Sequence, residues 1–341
     1  MSKLYADITN ISQIESVSVS TSHSSSMSSA VINCISHSTS IGDEITIDLG
    51  YTTNHAQIFK GYVKQIERVI PSNAYTITAH DVMVRAVDFF VVSTNPEDKF
   101  VRRNIQAENL VQDVLQLAGL SSFDLQSTQF TLAIGADAEV SLVGAYDYCK
   151  GLADLLAWHL WADSNGVIHF RNRKPYVMYN TSGQPGYGQP GNTPDTSMTT
   201  ITDAIILNFN YIQTEKDLRN RIVVWGTTDI FAEADRATSY DPADQTYKQV
   251  LPSGYYKAVA FVSELIGTTS NAQKAADYNL DLLNRLKYRT TISVEGDPTL
   301  IARNVITLDE DLIGIDKLFY IFMSEHAWNK SGYVCNMELV D

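Results

Sequence analysis

The side chains able to do chemistry in this 341-residue chain are seven histidines, thirty-nine acids and three cysteines. Three histidine–acid pairs are candidates: His80 beside Asp81, Glu325 beside His326, and His159 four residues before Asp163 in a helix-periodic stretch. A helix would bring the last pair onto one face, where an acid orients a base or two ligands share a metal. The flanking residues do not follow through. The sequence holds no HExxH, no GxSxG and no Cys/His cluster at ligand spacing, and those patterns are what metal and serine hydrolase chemistry require. His159 lies on an apolar stripe and reads as a hydrogen-bonded core residue. Cys34, Cys149 and Cys335 are far apart and read as small buried hydrophobes in a reducing compartment. A glycosidase needs two carboxylates in one cleft, and a chain this acidic meets that count without meaning anything by it.

Phosphate chemistry fares no better. GYGQPG, with Gly186, Gly188 and Gly191, has the letters of a dinucleotide fingerprint. That motif works because its last glycine opens a helix whose N-terminus faces pyrophosphate. Pro190 and Pro194 forbid such a helix here, so the stretch reads as a loop. Arg171, Arg173 and Lys174 cluster in FRNRKPY, a solvated strand end. With 25 basic residues against 39 acidic ones, a net charge of −14, the chain lacks the basic stripe of a nucleic-acid binder. Its aromatics are numerous: Trp158, Trp161, Trp225 and Trp328, with eighteen tyrosines. They suggest a sugar-binding surface, or else core and subunit contacts, and most fall inside periodic segments. No catalytic, cofactor or metal site is expected.

The elements that must position these residues are mainly β. Apolar content of 44% and charged content of 19% describe an ordered chain, and no apolar run is long enough to span a membrane as a helix. The start, MSKLYADITN, has no apolar signal region, so Sec export is not expected. SVSVS and AVINCI predict two strands joined by a polar turn. EITIDL, FKGYVKQIERVI and AYTITAHD predict three more, punctuated by Gly50, Asn54 and the PSN at 71–73. Short strands at about ten-residue spacing point to an antiparallel barrel or sandwich. The period then changes. NIQAENLVQDVLQLAGL places Leu110, Val111, Val114 and Leu117 on one helical face with Gly119 as a stop, and YDYCKGLADLLAWHLWAD does the same with Leu152, Leu155, Leu156 and His159. The strand VIHFRN follows.

Residues 181–197 are a Gly/Pro-rich connector and a candidate contact arm. Strands resume at AIILNFNYI and RIVVWGT. A polar segment, 231–270, leads to a third helix in NAQKAADYNLDLLNRLKYR. RNVITLD, KLFYIFMSEHAW and GYVCNMELV close the chain as strands. YVKQIERVIPSNAYTI and YIFMSEHAWNKSGYVC match at an offset of 258, with Tyr62, Val63, Glu67 and Tyr75 falling on Tyr320, Ile321, Glu325 and Tyr333. Two barrels of similar build are therefore expected, one at each end.

Four segments in this order resemble the baseplate hub proteins of contractile-tailed phages: the late-control protein D family, the Mu-like hub and the hub part of type VI secretion spike proteins. They are IGDEITIDLGY with IFKGYVKQIE and YTITAHD; DYCKGLADLLAWHLWADSNGVIHF, with its D-x-x-G-x-I-x-F strand; NRIVVWG; and FYIFMSEHAWNKSGYVCNMEL. The resemblance implies two tail-tube-like antiparallel β-barrels with smaller α/β domains, divided as 1–100 for the first barrel, 101–180 for a small α/β domain, 181–230 plus 286–341 for the second barrel, and 231–285 for an inserted segment with a helix. It also implies a homotrimer in the virion tail baseplate, assembled in the host cytoplasm. Its partners would be the tail tube or a tube initiator, the central spike and neighbouring wedge or sheath-side proteins. No specific nucleic-acid binding and no membrane insertion are implied, and the acidic charge would suit a channel that DNA passes without adsorbing. Some relatives carry a fused spike or lysozyme domain; with the last strand running to Asp341, that activity is expected on another polypeptide. The competing readings are a carbohydrate-binding, receptor-recognising tail component and a cell-wall hydrolase.

Overall fold

Alternation of apolar and polar residues sets the strands, because each inward side chain is followed by an outward one. In the computed structural model, residues 3–92, 100–128, 130–134, 137–172, 199–202, 205–227, 229–241, 246–310 and 315–340 are described. Residues 181–197, and with them GYGQPG, lie outside these, as do Arg173 and Lys174. Six strands come first: β1 (Leu4–Ile8), β2 (Ile11–Ser22), β3 (Ser29–His37), β4 (Glu44–Tyr51), β5 (Asn54–Val69) and β6 (Ala74–Asp81). Six more follow the middle of the chain: β7 (Thr200–Thr202), β8 (Ile206–Thr214), β9 (Lys287–Glu295), β10 (Val305–Glu310), β11 (Ile315–Asn329) and β12 (Gly332–Val340).

The two sets share one topology. The first runs β1-β4-β5-β6-β3-β2 and closes on itself where Ile8 pairs with Ile11. The second runs β7-β10-β11-β12-β9-β8. Each strand of the first set therefore has a counterpart six labels on. The sets differ at the first strand: β1 is antiparallel to β4, β7 is parallel to β10, and among the described residues β7 and β8 are not paired, which leaves the second barrel open there. Two bulges in each set coincide as well, while the one at Ile58 between β4 and β5 has no counterpart between β10 and β11. Glu15 is the extra residue in β2 and Leu207 in β8; Lys64 is extra in β5 and Phe322 in β11. A bulge bends its strand and sharpens the twist, so matched bulges mean matched curvature. Even the entries to β4 and β10 repeat: Gly42 N–H donates to the Val63 carbonyl as Arg303 N–H does to that of Ile321, and both residues have positive φ, 92° and 79°.

The offset of 258 holds for Tyr62, Val63 and Glu67 along β5 and β11, bulge included. It does not hold for the returning strand. Arg68 pairs with Tyr75, while its counterpart His326 pairs with Cys335, so Tyr75 corresponds to Cys335 and not to Tyr333. The second hairpin is longer by the pairs Trp328↔Tyr333 and Asn329↔Gly332.

One hydrophobic core runs through both barrels, from Ile32, Ile47 and Val63 to Ile292, Ile306 and Ile321. A second core binds everything between. It gathers α1 (Val84–Asp88), α2 (Ala107–Leu117), α3 (Ala145–Leu155) and the strands Trp158–Ala162 and Ile168–Asn172 with an insertion between β8 and β9. That insertion carries α4 (Thr269–Leu283) on a three-stranded sheet of Phe231–Asp235, Arg221–Trp225 and Ala258–Val262. Among the described residues Arg221–Trp225, expected in the second barrel, pairs only within this sheet, and the stretch 231–270, read as a polar segment leading to the helix, supplies the other two strands. The helix expected through YDYCKGLADLLAWHLWAD stops at Leu155; Ala157 has φ 55°, and Trp158–Ala162 continues as a strand. α4 starts at Thr268, whose side chain accepts the Asn271 N–H at 3.2 Å. Thr268→Ala should cost about 1 kcal/mol in a urea unfolding series. No helix among the described residues is long and apolar enough to cross a membrane.

Candidate functional site: the seam between the two barrels

The barrels meet edge to edge. β2 pairs antiparallel with the second half of β11, from Ser16↔Asn329 to Ser22↔Met323. β11 can accept it because its pairing with β10 stops at Val305↔Tyr320 and leaves the rest of that edge uncovered. Val17 and Val19 point into the first barrel, while their partners Trp328 and His326 are buried in the second. On the other face Ser18 Oγ donates to Glu325 Oε1 at 2.9 Å, and Lys330 pairs with Glu15 at the end of the seam. The adjacent Glu325 and His326 thus point to opposite faces and form no dyad. His326 Nδ1 lies 2.6 Å from the Tyr333 hydroxyl and 3.2 Å from Cys335 Sγ. Burial pushes the His326 pKa down to about 4 and the Cys335 thiol up to about 12, so both are neutral packing groups at pH 7.

Where β2 turns into β3, His23 plugs the corner. Its N–H donates to the Phe322 carbonyl at 2.8 Å, its ring stacks on Phe322 at 5.0 Å, and its Nδ1 sits 3.2 Å from the Tyr320 hydroxyl. His159 meets it edge-on at 3.9 Å. His159 is on a strand, and its expected partner Asp163 instead accepts from the Asn165 and Val167 N–H groups and lies 3.1 Å from His169 Nε2. Arg303, which sequence reasoning missed, donates to the Ser22 carbonyl at 3.0 Å, and its guanidinium lies 5.3 Å from the Trp161 ring centroid. The only signal for it is positional: it is the counterpart of Gly42.

Beside Arg303 is a cavity of about 260 Å³ lined by Lys60, Asp81, Trp161, Asp163 and His169 among others. Asp81 accepts from the Ser28 and Met83 N–H groups at 2.6 and 3.0 Å. Burial raises its pKa to about 6, against these hydrogen bonds and the charge of Arg303. Each carboxylate here braces a turn. Its neighbour His80 pairs with Ser29 and Tyr62 in the barrel sheet. Among the described residues no three His, Cys, Asp or Glu side chains gather as a metal site. Trp158 packs on Phe170, Trp328 is buried at the seam, and Trp225 sits against Phe231. Arg171 is tied to Asp124.

No family model matches the chain, and no curated protein matches it. Solved structures do. The chain is similar to the tail protein from Neisseria meningitidis MC58, with 10% identity and a TM-score of 0.64 over 99% of this chain and 96% of that one. It is similar to the prophage MuSo2 43 kDa tail protein from Shewanella oneidensis, at 11% identity and TM-score 0.62 over 96% and 93%. It is also similar to the E. coli c3393 protein, a component of the type VI secretion system with structural similarity to the T4 bacteriophage tail proteins gp27 and gp5, at 9% identity and TM-score 0.56 over 98% and 76%. With two barrels of one strand order joined along a seam, and these likenesses along nearly its whole length, the chain has the β-rich fold of phage tail and type VI secretion proteins.

Proposed function

We propose that the chain is a structural hub of a phage-type tail baseplate. Three copies form a ring of six similar barrels, which joins a sixfold tail tube to a threefold central spike and leaves a passage for DNA. The observation that carries this reading is the repeated strand order, with its repeated bulges, in two barrels already joined edge to edge within one chain. Two like units in a chain give six in a trimer, so one face of the ring meets sixfold symmetry while the chain itself repeats three times. The fold shared with tail proteins supports a structural role in the tail. The partners are then a second and third copy, the tube or its initiator, the spike, and adjoining baseplate proteins, in the virion tail. Obligate contacts of this kind bury on the order of 2,000 Å² or more. The net charge of −14 discourages adsorption of DNA to the lumen.

Native mass spectrometry and negative-stain imaging of the purified chain test this. The expected result is an assembly of three 37.9 kDa chains seen as a six-lobed annulus. A monomer at every concentration, or a ring with another number of lobes, overturns it.

A further inference from the structure

The seam inside the chain has an unused counterpart at each end. β2 lies on the exposed half of β11; the equivalent pair is β8 and the half of β5 beyond Lys64. Among the described residues β8 pairs with β9 alone, and β5 beyond Val63 pairs with β6 alone. Open strand edges are normally blunted by charge, proline or a covering element. β8 has no charged residue and exposes Leu207 and Ile212, at 65% and 50%; the free half of β5 carries the exposed Glu67 and Arg68 but also Val69, 40% exposed, with Ile70, 80% exposed, just beyond its end.

We infer that β8 of one copy pairs antiparallel with residues 65–69 of the next copy, in the register that β2 takes on β11. This deepens, and rests on, the ring reading above. The register follows from the shared bulges. Ser20 pairs with Ser29 as Ile212 does with Arg289, and Ala79 and Leu339 lie opposite Val63 and Ile321. Ser20↔Glu325 in the chain therefore becomes Ile212 opposite Glu67 between copies, and Ser18↔Ala327 becomes Asn210 opposite Val69. Charge fits too. His23, just past β2, fills the corner formed by Tyr320 and Phe322; the residue just past β8 at the same position is Glu215. The matching corner is an open groove of about 350 Å³ lined by Tyr62, Lys64 and Arg85, with the Arg85 guanidinium 4.4 Å from the Tyr62 ring centroid. A glutamate enters that groove beside two cations. With Lys64 held by Asp88 and Glu215 by Lys257 in the single chain, the contact extends existing ion pairs.

Paired cysteines read the register directly. The His23–Phe322 hydrogen bond fixes the alternation, so Ser20 and Glu325, and hence Ile212 and Glu67, are a non-hydrogen-bonded pair with Cα atoms about 4.5 Å apart, within disulfide reach. The three native cysteines are buried. Ile212→Cys with Glu67→Cys in the full chain should give, on mild oxidation, a reducible covalent ring of three chains. The shifted pair Ile212→Cys with Val69→Cys should not. A better yield from the shifted pair overturns the register. A trimer by mass in which neither pair links overturns the strand pairing and leaves the ring reading standing; a monomer overturns both. As a second arm, Ile212→Glu puts like charges opposite each other and should weaken assembly by more than about tenfold, with Glu67→Lys in the same chain restoring it. Failure of that rescue, in variants whose circular dichroism matches the wild type, counts against the pairing.

Discussion

Gly61→Val is expected to unfold the first barrel, with a loss of about 4 kcal/mol or more in chemical unfolding, or no soluble protein at all. Gly61 pairs with Ile45 on one side and Asp81 on the other, in the middle of the sheet. A Cβ at this position would stand 2.1 Å from the His80 carbonyl oxygen and 2.8 Å from the Asp81 Cα. Those are backbone atoms held by strand pairing and by the hydrogen bonds of Asp81, so nothing flexible can give way. The counterpart in β11 is Phe319, whose whole ring is buried in the shared core, so the demand for glycine is local to the first barrel. Gly151→Ala serves as a control. On the exposed face of α3 an added Cβ meets nothing within 4 Å, and the same unfolding measurement should show a gain of up to about 1 kcal/mol.

Arg303→Met should cost about 2 kcal/mol at pH 8 and less at pH 4, because it removes the charged hydrogen bond to the Ser22 carbonyl and a charge that lowers the Asp81 pKa. Methionine keeps the length of the side chain and leaves the positive φ as it is, so the change removes the charge and its hydrogen bond without disturbing the backbone. The sign follows from Asp81. Its folded pKa of about 6 lies above the ordinary value of 3.8, so its burial favours the folded state when it is protonated. That contribution is whole below pH 3.8 and is lost as pH rises through about 6. Without Arg303 the folded pKa climbs further, and an ionised Asp81 at pH 8 keeps only the Ser28 and Met83 N–H groups against the cost of its burial. Thermal unfolding midpoints from pH 4 to pH 8 would show a penalty that grows with pH. Adding Asp81→Asn should flatten that slope; an equally steep slope in the double variant would show that Asp81 is not its source.

How much of this was legible in the sequence depends on what fixes each feature. The strands of both barrels follow from alternation, because each is half-buried: EITIDL buries Ile45, Ile47 and Leu49 in turn. WHLWA misled because an apolar run carries no period of its own. Trp158, His159 and Leu160 are all buried, and a helix stripe can be drawn through them as easily as a strand. In AVAFV every residue is half-buried or exposed, so no apolar face announces the strand. The likeness of the two barrels was legible in one strand only. The counterparts lie 258 residues apart for Tyr62 and Tyr320, 260 for Ala79 and Leu339, 261 for Ile45 and Ile306, and 192 for Val17 and Phe209. Turn lengths differ between the halves, so no single shift of the sequence against itself superimposes them. The seam was invisible for a related reason: which edges stay open is decided by where neighbouring strands end, which no residue type encodes.

The insertion between β8 and β9 does more than lengthen a hairpin. Its helix α4 reaches back to the segment that follows the first barrel, with Asn279 Nδ2 on the Leu155 carbonyl and Asn271 Nδ2 on that of Thr131, both within 2.9 Å. Each barrel thereby extends a limb, and the limbs clasp through a common apolar interior. The clasp sets the angle between the barrels within the single chain. In the ring proposed above, three preassembled pairs would lose less translational and rotational freedom on meeting than six separate barrels, and half of the barrel-to-barrel contacts would exist before any two chains collide.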